Sequence, residues 1–115
     1  MRRGEIRWVD MNPSKGSEAS KRRPAVLVSN DAANSTASRL GRGVVTIVPI
    51  TSNVERIYPF QVHLNAGPCG LSTDSKAQAE QVRSVSVERV GSVLGTVPPQ
   101  LMQKVDDALR LHLAL

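Results

Sequence analysis

The sequence predicts a mainly β domain with a C-terminal helix, folded as a small, strongly curved barrel of the SH3-like kind with about five to seven strands. Three observations carry this expectation. Apolar residues fall in short runs, alternating or β-branched, separated by Gly, Pro and Asn. Sustained helical spacing occurs only after Pro98. One Trp, one Tyr and one Phe in 115 residues are too few to fill both faces of a flat sheet. Curling the sheet and laying the helix over an open end solves that problem.

Each element has a local reason. Glu5–Met11 alternates, with Ile6, Trp8 and Val9 inward, and stops at Asn12-Pro13. Ser14–Arg23 is a polar loop, and Ala25–Ser29 a buried second strand. Asn30-Asp31 offers an N-cap to a short helix over 32–38. Gly41–Gly43 breaks the chain before Val44–Val48, a β-branched central strand ending near Pro49-Ile50. Thr51–Tyr58 is a loop, Pro59–Leu64 a strand and Asn65–Thr73 a Gly/Pro-rich connection. Lys76–Val85 reads as one strand with a polar face, and Val90–Val97 as the last strand. Pro98-Pro99 suits a first helical turn, where a missing N–H is harmless. Leu101, Val105, Ala108, Leu109 and Leu113 then repeat at helical spacing.

Length and charge bound the function. Residues 1–115 are read as one domain, with a formal charge of +5 and a pI near 10.1. That sign favours a polyanionic partner. A lone cysteine, Cys69, excludes an internal disulfide and a thiolate metal cluster and is read as a bystander. Two arginines follow Met1, but no apolar segment of a signal peptide comes after them, and no run is long enough to span a bilayer. A soluble, cytoplasmic protein with no membrane partner is expected. Apolar surface left over by so small a barrel is expected to be covered in a symmetric homodimer.

The candidate chemistry gathers at strand ends. His63 and His112 are far apart in sequence and lack a ligand pattern, so no metal and no other cofactor is expected. Gly41-Arg42-Gly43 is a turn and not a phosphate loop. No Ser-His-Asp arrangement is suggested. Charge concentrates instead between Gly16 and Asp31, where Ser17, Glu18, Lys21, Arg22 and Arg23 run through Pro24 into the second strand. A guanidinium at the start of a strand suits a phosphate, because its donors form a fixed fork. Thr51 and Ser52 follow the central strand, while Ser75, Gln81 and Arg83 flank the later one. The bland alternative for both segments is a solvated polar face.

In this order the segments GSEASKRRPAVLVSND, VPITSN, YPFQVHL and AEQVRSV resemble the MazF/PemK endoribonuclease toxins of bacterial toxin–antitoxin systems. The opening RRGEIRWVDMNPSKGSE and the closing LMQKVDDALRLHL are also similar to that family, so the likeness spans nearly the whole chain. It is strongest to actinobacterial members. It implies a CcdB/MazF-type barrel acting as a homodimer, and sequence-specific, metal-independent cleavage of single-stranded RNA, with growth arrest as the outcome. A MazE-like antitoxin is the implied restraint, its acidic segment folding into the RNA groove. The resemblance places catalysis on Arg23, Thr51 and Glu18. It places substrate binding on Ser17, Ser52, Ser75 and Gln81. Some members carry a histidine just before the catalytic arginine; here that residue is Arg22, so histidine proton transfer does not carry over.

The residue types fit such a reaction. Without a metal, the 2′-hydroxyl attacks the adjacent phosphorus, leaving a 2′,3′-cyclic phosphate and a 5′-hydroxyl. Arg23 suits neutralising the charge gained at phosphorus. It suits proton transfer poorly, since arginine stays charged, and Glu18 is then the candidate base. Lys21, Arg22, Arg56 and Arg83 are candidate phosphate contacts. Loops 14–21 and 51–58 are candidate base readers, with Tyr58 or Trp8 for stacking, although a first-strand Trp more often sits in the core. Two other classes compete: a CcdB-like gyrase poison on the same fold, and a non-catalytic nucleic-acid binder.

Overall fold

The computed structural model describes residues 1–12, 15–18 and 21–115. Strand β1 (Glu5–Asp10) pairs antiparallel with β2 (Arg22–Leu27), which pairs with the long central β3 (Val44–Thr51). The order across the sheet is β4-β5-β3-β2-β1-β7, where β4 is Gln61–Leu64, β5 Ser75–Gln78 and β7 Val90–Thr96. The seventh strand, β6 (Arg83–Ser86), pairs with the first half of β3, while β5 pairs with its last two residues. This is the expected β architecture closed by a C-terminal helix, α3 (Pro99–Leu113).

Three elements differ from the sequence reading. Strand β2 begins at Arg22, so Arg22 and Arg23 belong to the strand and not to the preceding loop. Strand β3 runs through Pro49 to Thr51. Proline is tolerated there because β3 changes partner from β6 to β5 on one edge around that residue, where no ladder N–H is required. The expected strand over 76–85 is broken into β5 and β6 by a 3₁₀ turn at Ala79–Gln81, so the chain bends to follow both halves of the curled β3.

Curling buries both faces of the inner strands. Val26, Val48 and Ile50 pack with Ile6, Leu64 and Val105 of α3. Ala25, Leu27 and Ile47 pack on the opposite side with Val9, Val85 and Ala37 of α1 (Asp31–Leu40). That is why Ala25-Val26-Leu27 is apolar without alternation. The sequence argument from scarce aromatics held for a flat sheet; small aliphatic residues suffice once two helices cover a curled one.

Local chemistry sets the helix ends. The Asn30 side chain accepts the Ala33 N–H at 2.8 Å, and Gly41, at φ +66°, closes α1 by donating its N–H to Ala37. The chain between β4 and β5 forms a single helical turn, α2 (Ala66–Cys69), which presses on β7. A Cβ at Gly95 would lie 2.2 Å from the Cys69 carbonyl oxygen, and one at Gly70 2.5 Å from that of Leu94. Two backbones therefore touch where two glycines meet, joining the β4–β5 connection to the far edge of the sheet. Burial pushes the Cys69 thiol up from its ordinary range, as suits an inert core residue.

Candidate active site

Strand register assembles the site. Ala25 pairs with Pro49 and Leu27 with Ile47, and continuing that register toward the strand ends sets Arg23 opposite Thr51. Opposite residues of an antiparallel pair share a face. On its outer side Thr51 pairs with Lys76, and Arg23 pairs with Val9. A guanidinium, a hydroxyl and an ammonium are thus carried on neighbouring strands at one end of the barrel.

A cavity of about 590 Å³ opens there, and Lys21, Arg22, Arg23, Thr51, Ser52 and Ser75 all line it. Six of the ten candidate residues therefore meet in one place. Thr51 Oγ1 accepts the Asn53 N–H at 3.3 Å, which leaves the Thr51 hydroxyl proton to donate elsewhere. Ser75 is 4% exposed and donates to the Thr73 carbonyl at 3.0 Å, so its hydroxyl is committed to the wall. Lys21 stands at the junction of loop and strand with φ +66°, a left-handed conformation unusual for lysine. Its backbone is clamped from both directions. The Met11 N–H donates to the Lys21 carbonyl at 3.0 Å, and the Lys21 N–H donates to Asn12 Oδ1 at 3.0 Å.

The remaining candidates lie apart from that cavity. Ser17 and Glu18 are exposed on the loop, whose residues Pro13, Ser14, Ala19 and Ser20 fall outside the described residues. Gln81 sits in the 3₁₀ corner and donates from Nε2 to the Ser17 carbonyl at 3.0 Å, tying that loop to the β5–β6 bend. Arg83 lies on β6 opposite Ile47, and its buried Nη1 finds no hydrogen-bond partner among the described residues. Among the described residues no group of His, Cys, Asp and Glu forms a metal cluster.

Sequence reasoning missed one contributor, Lys76, and gave another, Trp8, as a stacking candidate that more often sits in the core. Lys76 is only 7% exposed; its Nζ donates to the Arg56 carbonyl at 2.5 Å and lies 6.0 Å from the Tyr58 ring centre. It holds the 51–58 loop against β5. Ser-Lys-Ala-Gln at 75–78 does not alternate, and a buried lysine is recognised only from its surroundings. Trp8, expected in the core, is half-buried and lines the cavity, with the Arg22 guanidinium 5.0 Å from its ring centre. Tyr58 stacks on Phe60 with centroids 5.3 Å apart and with Arg56 5.1 Å from its ring.

Residues 2–113 match the model of the PemK-like, MazF-like toxins of type II toxin–antitoxin systems. The chain belongs to the PemK/MazF toxin family. It is 57% identical over 115 residues to a Mycobacterium tuberculosis protein named endoribonuclease MazF9, covering all of this chain and 98% of that one. The crystal structure of MazF from Deinococcus radiodurans superposes with a TM-score of 0.82 at 26% identity, over all of this chain and 97% of that one. A MazE–MazF complex from the same organism matches with a TM-score of 0.75 at 26% identity, over 100% and 96% of the two chains. The family likeness read from the sequence, to actinobacterial members in particular, is borne out. As a PemK/MazF toxin the chain has its cationic strand end and Thr51 in one cavity, and no described helix is long and apolar enough to cross a membrane.

Proposed function

We propose that this chain is an endoribonuclease toxin that cleaves single-stranded RNA without a metal, through attack of the substrate's own 2′-hydroxyl. One observation carries the reading: in a PemK/MazF-family chain, the register of β2 and β3 brings Arg23 and Thr51 together at a cavity rimmed by two more cations. Arg23 binds the scissile phosphate through its fork and stabilises the charge gained as phosphorus becomes five-coordinate. Thr51 donates its hydroxyl proton to a phosphoryl oxygen. Lys21 contributes positive charge at the cavity rim, Ser52 and Ser75 line the RNA path, and Arg83 holds phosphate farther along it. Glu18, on the loop that Gln81 tethers through Ser17, takes the 2′-hydroxyl proton. The products are a 2′,3′-cyclic phosphate and a 5′-hydroxyl end. Cleavage of message arrests translation and growth in the cytoplasm. The toxin works as a homodimer and is restrained by a MazE-like antitoxin, whose acidic segment fits a site of this charge.

The CcdB-like gyrase poison is not favoured, because the family match is to PemK/MazF toxins and the Arg23–Thr51 arrangement has no use in it. Incubation of the purified protein with mixed-sequence RNA in chelator, followed by mapping of 5′ ends, is the test. Discrete cuts bearing 5′-hydroxyls are expected. Intact RNA with arrested gyrase would transfer the reading to the alternative.

A further inference from the structure

The cavity carries more apolar wall than a phosphate site needs. Trp8, Pro24, Leu71 and Leu94 line it beside the cations. Trp8 pairs with Pro24 and Asp10 with Arg22 across β1 and β2, so Trp8 and Arg22 are diagonal neighbours on one sheet face. Arg23, paired with Val9, leaves the other face. The two arginines therefore reach the cavity from opposite faces of the strand.

Arg22 is held flat. Its guanidinium lies 5.0 Å from the Trp8 ring centre, and among the described residues no carboxylate pairs with it. Glycine at residue 91 gives it room. A Cβ there would stand 3.3 Å from Arg22 Nη2 and 3.5 Å from Trp8 Cβ. Gly91 is itself fixed, since Arg7 Nη1 donates to its carbonyl at 3.0 Å. The guanidinium sits over the indole, and Arg22 remains an exposed residue. A planar cation of this kind stacks readily on nucleobases.

We infer that Trp8, Arg22 and Gly91 form a stacking platform for one unpaired nucleobase of the bound strand, with Arg22 presenting its plane to the base. This deepens the proposed RNA-cleaving reading and rests on it. It assigns Arg22 to base holding, leaving the scissile phosphate to Arg23.

Trp8 is the chain's only tryptophan, so its fluorescence reports the platform directly. The full-length protein is titrated with non-cleavable 2′-O-methyl oligomers of A, C, G or U, and with an abasic oligomer of equal length. At least one base-bearing oligomer should quench Trp8 and bind about 5- to 100-fold more tightly than the abasic chain. Arg22→Gln should erase most of that difference. Gly91→Val, which fills the gap without changing charge, should erase it too while leaving affinity for the abasic chain intact. If Gly91→Val does not fold, the exposed Arg22→Gln exchange decides alone. Equal affinity for base-bearing and abasic chains, an equal loss on both in Arg22→Gln, or no binding at all overturns the platform. Cleavage of mixed RNA by the same preparation separates the two readings. Cuts without base-dependent binding sink only the platform, whereas base-dependent quenching without cuts sinks only the nuclease.

Discussion

Arg23 and Thr51 are where the chemistry is expected to be most sensitive. Removing a preorganised charge-stabilising donor costs a reaction about two to three orders of magnitude. Arg23→Ala should therefore lose about 10²- to 10³-fold in single-turnover cleavage. Near-normal cleavage in a folded Arg23→Ala protein would remove Arg23 from the mechanism. Thr51→Val keeps shape and loses the hydroxyl; about 10² in rate at nearly constant KM is expected. Glu18→Gln should lower kcat by more than about tenfold if Glu18 takes the proton, and an unchanged kcat would hand that role to another group. Ser17 and Gln81 are joined by the hydrogen bond from Gln81 Nε2 to the Ser17 carbonyl, so Gln81→Ala should raise KM more than Ser17→Ala does.

Helix caps and glycine contacts hold the elements that carry those residues. Asn30 supplies the N-cap of α1, which packs on the β3 strand that ends in Thr51. Asn30→Ala should lower stability by about 1 kcal/mol, visible in urea denaturation, with little effect on cleavage. Gly95 is a different case. Its missing Cβ is what allows α2 to lie on β7, and Gly70–Thr73, the wall following α2, lines the cavity. Gly95→Ala should cost about 1–3 kcal/mol through overpacking and also raise KM, since the wall must move. A variant with normal stability and normal KM would show that the backbone contact has no structural role. Much of this layer was readable beforehand. The cap at Asn30, the break at Gly41–Gly43, the Pro98-Pro99 helix start and the β-branched β3 all follow from local residue preferences. The break in the strand expected over 76–85 was not readable, because Ala79–Gln81 bends only to follow the curl of its partner β3.

Taken together, the charge and the small size set how the molecule meets RNA. Three phosphate contacts on a single strand give a slope of about −2 for log affinity against log salt. Raising salt from about 50 to 200 mM should then weaken binding about 20-fold. A salt-independent affinity would argue against phosphate recognition altogether. Acid should act through Glu5. Burial pushes its carboxyl up, but hydrogen bonds from the Arg2 N–H and Arg7, together with the Arg7 charge, outweigh this and hold it below its ordinary value. Glu5 therefore stabilises the fold above the ordinary carboxylate range and ceases to do so as pH falls through its lowered value. Glu5→Gln should be less stable than the parent near neutrality by less than about 1 kcal/mol, converging with it in acid. Thermal midpoints across pH check this.

The sequence alone determined most of the strands, the N-cap of α1, the family and the identities of the charged residues, because these depend on neighbours along the chain. It placed Arg23, Thr51 and Ser75 at strand ends without showing which ends meet. That is a matter of register, and one residue of slip turns every side chain to the other face. Only the folded sheet set Arg23 opposite Thr51, moved Trp8 from the expected core to the cavity wall and laid Arg22 on it. Only the curl of β3 placed Gln81 at a corner, and only burial revealed Lys76 as the clamp on the 51–58 loop. Periodicity along the chain says which residues can lie inside; long-range pairing decides which of them share a site.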